Sequence, residues 1–175
     1  MGAALDIATG TSPKILYAPL FGSFLPVLIK AIQISDGPVL EMGMGVFSTP
    51  VMHWLCLESK RPLVSFENDV DYFNFHSHFY SPMHNIRFVA DWDAADIEST
   101  HWGVALIDHA PGTRRIEDIK RLADKADFII VHDTEKGQNH HYHYDQIFPL
   151  FKYHYQYRRE KPYTSVLSNL KEFQL

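Results

Sequence analysis

From Val39 onward, short runs rich in β-branched and aromatic residues alternate with longer stretches in which apolar residues recur at helical spacing. The runs at 38–41, 63–67, 86–90, 104–108 and 128–132 read as strands, each ending in polar residues or turn formers. Helices are expected between them at 49–58, 70–80, 94–99 and 116–125. The last of these is the best defined, because Ile116, Ile119, Leu122, Ala123 and Ala126 share one face and charges fill the other. A further helix at 144–152 precedes two alternating runs, 153–159 and 164–170, joined by a short loop with Lys161 and Pro162; these predict an antiparallel hairpin at a sheet edge. Before the first strand, 20–34 predicts a helix that covers one face. Strands alternating with crossover helices predict a Rossmann-like α/β three-layer sandwich: a mostly parallel sheet of about seven strands with the C-terminal hairpin added. No linker or repeat divides the chain, so 1–175 reads as one domain, with 1–38 as a covering segment and 39–175 as a cofactor-binding core.

Composition narrows the function. The chain has 175 residues, enough to bury a substantial core, and a formal charge of −5. That charge gives no general attraction for a phosphate backbone and disfavours a nucleic-acid partner. Arg114, Arg115, Lys120 and Arg121 form a local basic cluster that reads as a solvated helix face. The single cysteine, Cys56, sits among apolar neighbours and reads as a buried helix position. The apolar stretch 21–29 lacks a preceding basic region, contains Pro26 and is too short to span a bilayer. Asp6 stands where a myristoylation signal needs Ser or Thr. A cytoplasmic location without membrane attachment is the expectation.

Chemistry concentrates at the strand ends. The stretch 39–50, VLEMGMGVFSTP, places Glu41 and then Gly43 and Gly45 where a strand gives way to a helix. Such glycines let the chain turn tightly and let a ligand approach the backbone. Ser48 and Thr49 are suited to cap the helix, and Pro50 to its first turn. Glu67 ends the second strand about two dozen residues later, where a doubly wound fold places the carboxylate that accepts from ribose hydroxyls. An adenosine-containing cofactor is implied, and both a nicotinamide dinucleotide and S-adenosylmethionine satisfy the pair. The third glycine of the dinucleotide fingerprint is not kept; Phe47 and Ser48 stand near its position.

With these motifs the chain resembles the class I S-adenosylmethionine-dependent methyltransferases from about Leu20 to its end. The resemblance implies that Glu41, Gly43, Gly45 and Ser48 serve the methionine part of the cofactor and Glu67 the ribose. It also implies that Asp91, with Trp92 beside it, meets the adenine. At the fourth and fifth strand ends Asp108-His109 and His132-Asp133 are similar to the catechol-type O-methyltransferases, which hold Mg²⁺ with an Asp after the fourth strand and an Asp-Asn pair after the fifth. Asp108 and Asp133 are then candidate metal ligands, although Thr134 stands where that pattern has Asn. Asp108 also counts among the cofactor contacts and, with His109 and His132, among the catalytic candidates. The two histidines are candidate general bases, because imidazole titrates near neutrality.

Two histidine-rich stretches tempt a metal reading. In 137–145 the spacing of His140, His141 and His143 lacks the i, i+4 pair of a helical zinc motif, so a mobile aromatic loop over the substrate mouth is expected. In 73–80, which contains His76 and His78, Phe75 and Phe79 share a helix face and read as core packing. The function expected is O-methylation of a small-molecule, glycan-like or peptide-like acceptor. The alternative is a catalytically silent S-adenosylmethionine-binding regulatory protein, and a nicotinamide oxidoreductase ranks third. The aromatic hairpin edge is compatible with a homodimer, although Arg158, Arg159 and Lys161 protect such an edge as well.

Overall fold

The computed structural model describes residues 14–16 and 18–175, so the Met-Gly opening and Asp6 lie outside the described residues. Seven strands form one sheet in the order β3-β2-β1-β4-β5-β7-β6. They are β1 Val39–Met42, β2 Leu63–Glu67, β3 His84–Phe88, β4 Trp102–Ile107, β5 Ala126–Val131, β6 Tyr153–Tyr157 and β7 Thr164–Ser168. The first five pair in parallel, while β7 runs antiparallel to β5 and β6. The sheet is the Rossmann-like arrangement that the alternation predicts, with the hairpin closing one edge.

The central strands read as mostly apolar runs, broken by Glu41 in β1 and Asp127 in β5, because both of their faces are covered. On one face α1 Leu25–Ile34 and α2 Ser48–Glu58 pack Leu28, Ala31, Met52 and Cys56 against Val104, Leu106, Phe128 and Ile130. On the other, α4 Arg115–Leu122 and the turns after β3 and β5 pack Ile119, Leu122, Trp92 and Tyr144 against Met42, Ala105, Ile107 and Ile129. Burial pushes the Cys56 thiol up to about 11, so it is a packing group as expected.

Several expected elements are broken or replaced. The covering helix is split into a 3-10 turn at Pro19–Gly22 and α1, which starts at Leu25 with Pro26 in its first turn, where a missing N–H costs nothing. The helix expected at 94–99 is a 3-10 turn at Trp92–Ala94 followed by irregular chain. There Asp91 accepts from Asp93 N–H and Asp96 from Ser99 N–H, bonds that compete with a helical ladder. The helix expected at 144–152 is two 3-10 turns, Tyr144–Gln146 and Phe148–Leu150, because Pro149 cannot donate. Helix α3, Val70–His76, ends earlier than predicted, and Phe75 is 45% exposed, so its ring is not core packing; His76 is the buried member of that stretch. Among the described residues, no helix is long and apolar enough to cross a membrane.

Candidate active site

The carboxyl ends of β1, β2, β4 and β5 open onto one cavity of about 340 Å³, within the usual range for a small-molecule site. Gly43, Gly45, Ser48, Glu67, Asp108, His109, His132 and Asp133 line it, with Phe21, Phe24, Phe47 and Tyr72 supplying aromatic walls. Gly43 has φ +90°, and a β-carbon there would lie 2.6 Å from the backbone of His109, so only glycine lets β1 turn this close to the β4 end. At Gly45 a β-carbon would come 3.0 Å from Ser48 Oγ and narrow the cradle.

Glu67 lies in the cavity wall and is buried. Its Oε2 accepts from Met44 N–H at 2.7 Å, and its Oε1 from Asn68 N–H at 2.8 Å and Asp69 N–H at 2.7 Å. Burial raises its pKa in spite of these donors. Glu41 is 0% exposed and stands behind the turn instead of in the cavity. Its Oε1 accepts from Thr49 Oγ1 at 2.9 Å, and Thr49 Oγ1 in turn accepts from Gly45 N–H at 3.0 Å. Thr49 is therefore engaged by Glu41, and α2 begins at Ser48 without the side-chain cap expected of Ser48 or Thr49.

The β4 and β5 side is built around a cation that the sequence reading took for part of a solvated helix face. Arg115 is buried, with its side chain 7% exposed. Its guanidinium lies 3.0 Å from Asp108 Oδ1 and donates to Asp133 Oδ2 at 3.2 Å. It also donates to the carbonyls of His109 and Asp108, and sits 4.9 Å over the Tyr142 ring. Arg114 and Arg121 are likewise committed, to the fully buried Asp118, which leaves Lys120 as the exposed member of that cluster. The correction has one cause: carboxylates withdrawn from water need fixed partners, and α4 with the turn before it supplies them.

His132 is held through Nε2. Ser23 Oγ donates its proton to the carbonyl of Pro162 at 2.6 Å, so the 3.1 Å contact with His132 Nε2 must be a donation from the ring. Nδ1 is then the bare nitrogen of the neutral ring, 3.3 Å from Asp108 Oδ2 and 3.8 Å from Asp133 Oδ1. Burial opposes a charge on this ring, but the Asp108 carboxylate outweighs it and the pKa is raised. Burial also pushes Asp108 up, yet Arg115 and His132 outweigh that and hold it below the ordinary carboxylate value.

His109 is placed differently from the expectation. Its backbone borders the cavity, but its side chain is fully buried and its ring packs on Trp92 at 4.2 Å between centroids. Nε2 lies 3.1 Å from Asp118 Oδ2 but off the line a hydrogen bond needs, so both ring nitrogens lack a hydrogen-bond partner. Burial lowers its pKa, and the ring is a packing group. Trp92 is buried as well and donates from Nε1 to Ala110 O, while exposed Asp91 caps its own turn; neither lines the cavity. The 137–145 segment is tied down to the site. Tyr142 and Tyr144 stack at 5.1 Å, Tyr142 donates to Asp133 Oδ2 at 3.0 Å, and Tyr144 to the carbonyl of His132 at 3.2 Å. It includes a one-turn helix, α5 Asn139–Tyr142.

The one three-ligand cluster among the described residues is Asp108, His132 and Asp133, with ligand atoms within 4.8 Å of one another. It fits Mg²⁺ poorly. Arg115 already pairs with both carboxylates, one ligand would be nitrogen, and Thr134 Oγ1 turns away to accept from Gln156 and Ser165. Arg115, Ser23, Tyr142 and Tyr144 are the site residues that sequence reasoning missed. The aromatic loop expected at 137–145 pointed toward Tyr142 and Tyr144, but nothing in the sequence pointed to Arg115 or Ser23.

No protein family matches the sequence, and no curated protein does either. Solved structures do match. A Klebsiella pneumoniae protein assigned as an O-methyltransferase has a TM-score of 0.62 at 14% identity, over 90% of this chain and 83% of that one. The N-terminal domain of human METTL16, in complex with SAH, has a TM-score of 0.56 at 12% identity, over 90% of this chain and 73% of that one. A Staphylococcus aureus protein assigned as a caffeoyl-CoA O-methyltransferase has a TM-score of 0.60 at 8% identity, over 87% of this chain and 85% of that one. The chain therefore has the fold of the class I S-adenosylmethionine-dependent methyltransferases. At these identities the likeness speaks for the fold.

Proposed function

We propose that the protein is an S-adenosylmethionine-dependent methyltransferase that methylates an oxygen of a small-molecule, glycan-like or peptide-like acceptor. The observation that carries this reading is the pairing, in one cavity, of the glycine turn and Glu67 with a His132 ring whose Nδ1 is free to take a proton. Bound there, the cofactor would supply a methyl group on a sulfonium, which would become a thioether as the acceptor oxygen took the methyl. Glu67 would hold the ribose hydroxyls, and Gly43 and Gly45 would leave room for the methionine part. His132 Nδ1 takes the acceptor proton, and Asp108 stabilises the imidazolium that forms. Arg115 holds Asp108 below the ordinary carboxylate value and lies against Asp133, so it places a single fixed positive charge between the two acids. No step runs through a metal.

The test is calorimetric titration with S-adenosylmethionine and S-adenosylhomocysteine, followed by a hydroxyl-acceptor screen with and without chelator. Binding that is lost in Glu67→Ala, and transfer that survives chelation but is lost in His132→Gln with binding retained, are the expected results. Absence of binding to either ligand refutes the reading. Binding without transfer to any acceptor favours the silent regulatory protein.

A further inference from the structure

A second buried polar cluster lies behind the glycine turn and has no part in the chemistry above. His53 Nδ1 and His84 Nδ1 are 3.0 Å apart, and His84 Nε2 is 2.8 Å from Ser65 Oγ. Ser65 Oγ donates to Glu41 Oε2 at 2.5 Å, and the other Glu41 oxygen reaches Gly45 through Thr49. All of these side chains are buried, and His53, at 8%, is the most exposed of them.

Counting protons fixes the direction of each bond. Ser65 gives its single hydroxyl proton to Glu41, so His84 Nε2 must donate to Ser65. A neutral His84 then has a bare Nδ1, so the proton between the two rings sits on His53 Nδ1 and leaves His53 Nε2 bare. Every bond in the row points from His53 toward the carboxylate.

We propose that His53, His84 and Ser65 form a proton wire that connects the outer side of α2 with Glu41 beneath the glycine turn. A proton arriving at His53 Nε2 sends the Nδ1 proton to His84 Nδ1, the His84 Nε2 proton to Ser65, and the Ser65 proton to Glu41. One proton enters, one carboxylate is neutralised, and no imidazolium is left behind. Every group along the row stays bonded in the end state: Glu41 Oε2–H donates to Ser65, Ser65 to His84 Nε2, and His84 Nδ1–H to His53 Nδ1. Entry at Oε1 instead would leave the Thr49 hydroxyl proton without the acceptor it now has. In the new state Thr49 donates to a neutral carboxyl in place of a carboxylate. That bond is weaker, and Gly45 is anchored less firmly. His53, His84 and Ser65 are thus positioning residues that act on the turn through Glu41 and Thr49.

The surroundings favour the carboxyl over either ring as the resting place of the proton. Burial raises Glu41 to about 7, against the Ser48, Ser65 and Thr49 hydroxyls, and the Glu67 charge adds to the rise. Burial, with His53 and His76 adding to it, lowers His84 to about 4. Burial lowers His53 too, with His78 adding. The remaining titratable neighbour on α2 is Cys56, whose thiol stays protonated, and from β4 the residue opposite Glu41 is the apolar Leu106.

The test is NMR of the whole protein carrying ¹⁵N-labelled imidazoles and ¹³C-labelled carboxyls, titrated from about pH 5.5 to about pH 8.5. Nδ1 and Nε2 of His84, and of His53 in the opposite sense, should exchange protonated and bare signatures at one midpoint. The Glu41 carboxyl and the Gly45 amide should share that midpoint, and neither ring should become imidazolium across it. Ser65→Ala should leave Glu41 titrating while the His84 tautomer no longer follows. In Glu41→Gln the amide N–H₂ faces Ser65 and should hold the exchanged tautomers at every pH, a result that does not depend on Ser65→Ala folding. Rings that keep one tautomer while Glu41 titrates, or that charge in the same interval, overturn the wire, as does a Glu41→Gln protein with the original tautomers. The measurement needs no ligand, so failure to bind S-adenosylmethionine bears on the proposed function and not on the wire.

Discussion

The two halves of the sheet's carboxyl edge hold their acids by different means. On the β1 and β2 side, Glu41 and Glu67 are bonded to hydroxyls and backbone N–H groups, and burial pushes both upward. On the β4 and β5 side, Asp108 and Asp133 share Arg115 with His132 beside them, and Asp108 is held down although burial opposes it. The comparison shows that burial alone leaves a carboxylate ready to take a proton, whereas a fixed guanidinium keeps it charged.

Removing that guanidinium is the most direct way to break the contrast. Arg115→Met should cost about 2–3 kcal/mol in urea unfolding, less than the usual figure for a fully buried pair because the two carboxylates it leaves unpaired are partly exposed. A loss below about 1 kcal/mol would mean that the cation does not hold the right half together. Gly43→Ala attacks the point where the halves meet. With φ +90° and a β-carbon 2.6 Å from the backbone of His109, it should cost about 3 kcal/mol by the same measurement.

A pH comparison sharpens the left half. A carboxyl whose folded pKa is raised makes the folded state the better proton binder, so its contribution to stability falls as pH rises from the unfolded value of 4.5 through about 7. Relative to Glu41→Gln, the unaltered protein should lose on the order of 3 kcal/mol across that interval. The right half has the opposite sign for its acid: the stability that Asp108 contributes is present above its unfolded value of 3.8 and lost as pH falls through its lower folded pKa. His132, with a raised pKa, contributes stability below 6.5 that is lost as pH rises through its folded value. The smallest effect is expected of Thr134→Asn, which restores the residue of the catechol-type pattern. Because position 134 points toward Gln156 and Ser165, the change should cost about 1 kcal/mol and create no Mn²⁺ binding detectable by electron spin resonance.

What could be read from the sequence follows the same division. Strands buried on both faces announce themselves as apolar runs, and the acid-glycine turn and Glu67 follow from them by spacing alone. Arg115 and Asp118 could not be read this way. A charged residue on an amphipathic helix looks solvated until the partners that bury it are known, and the carboxylates of Asp108 and Asp133 come from two other strand ends. His109 reads as a base because it follows Asp108 at a strand end and imidazole titrates near neutrality, whereas its ring turns under Trp92. The misplaced helices at 94–99 and 144–152 lost to side-chain caps and to Pro149, local effects that periodicity does not weigh. Ser23 was hidden inside a segment read as one continuous helix, and the break in that helix is what lets it reach His132.

That latch has a consequence for the order in which the molecule matures. His132 is oriented by Ser23, near the start of the described chain, and Ser23 is itself fixed by the carbonyl of Pro162, in the loop between the last two strands. A chain emerging from the ribosome has the glycine turn, Glu67 and all five parallel strands long before residue 162 arrives. The ring therefore reaches its final setting only once the hairpin loop that carries Pro162 is in place.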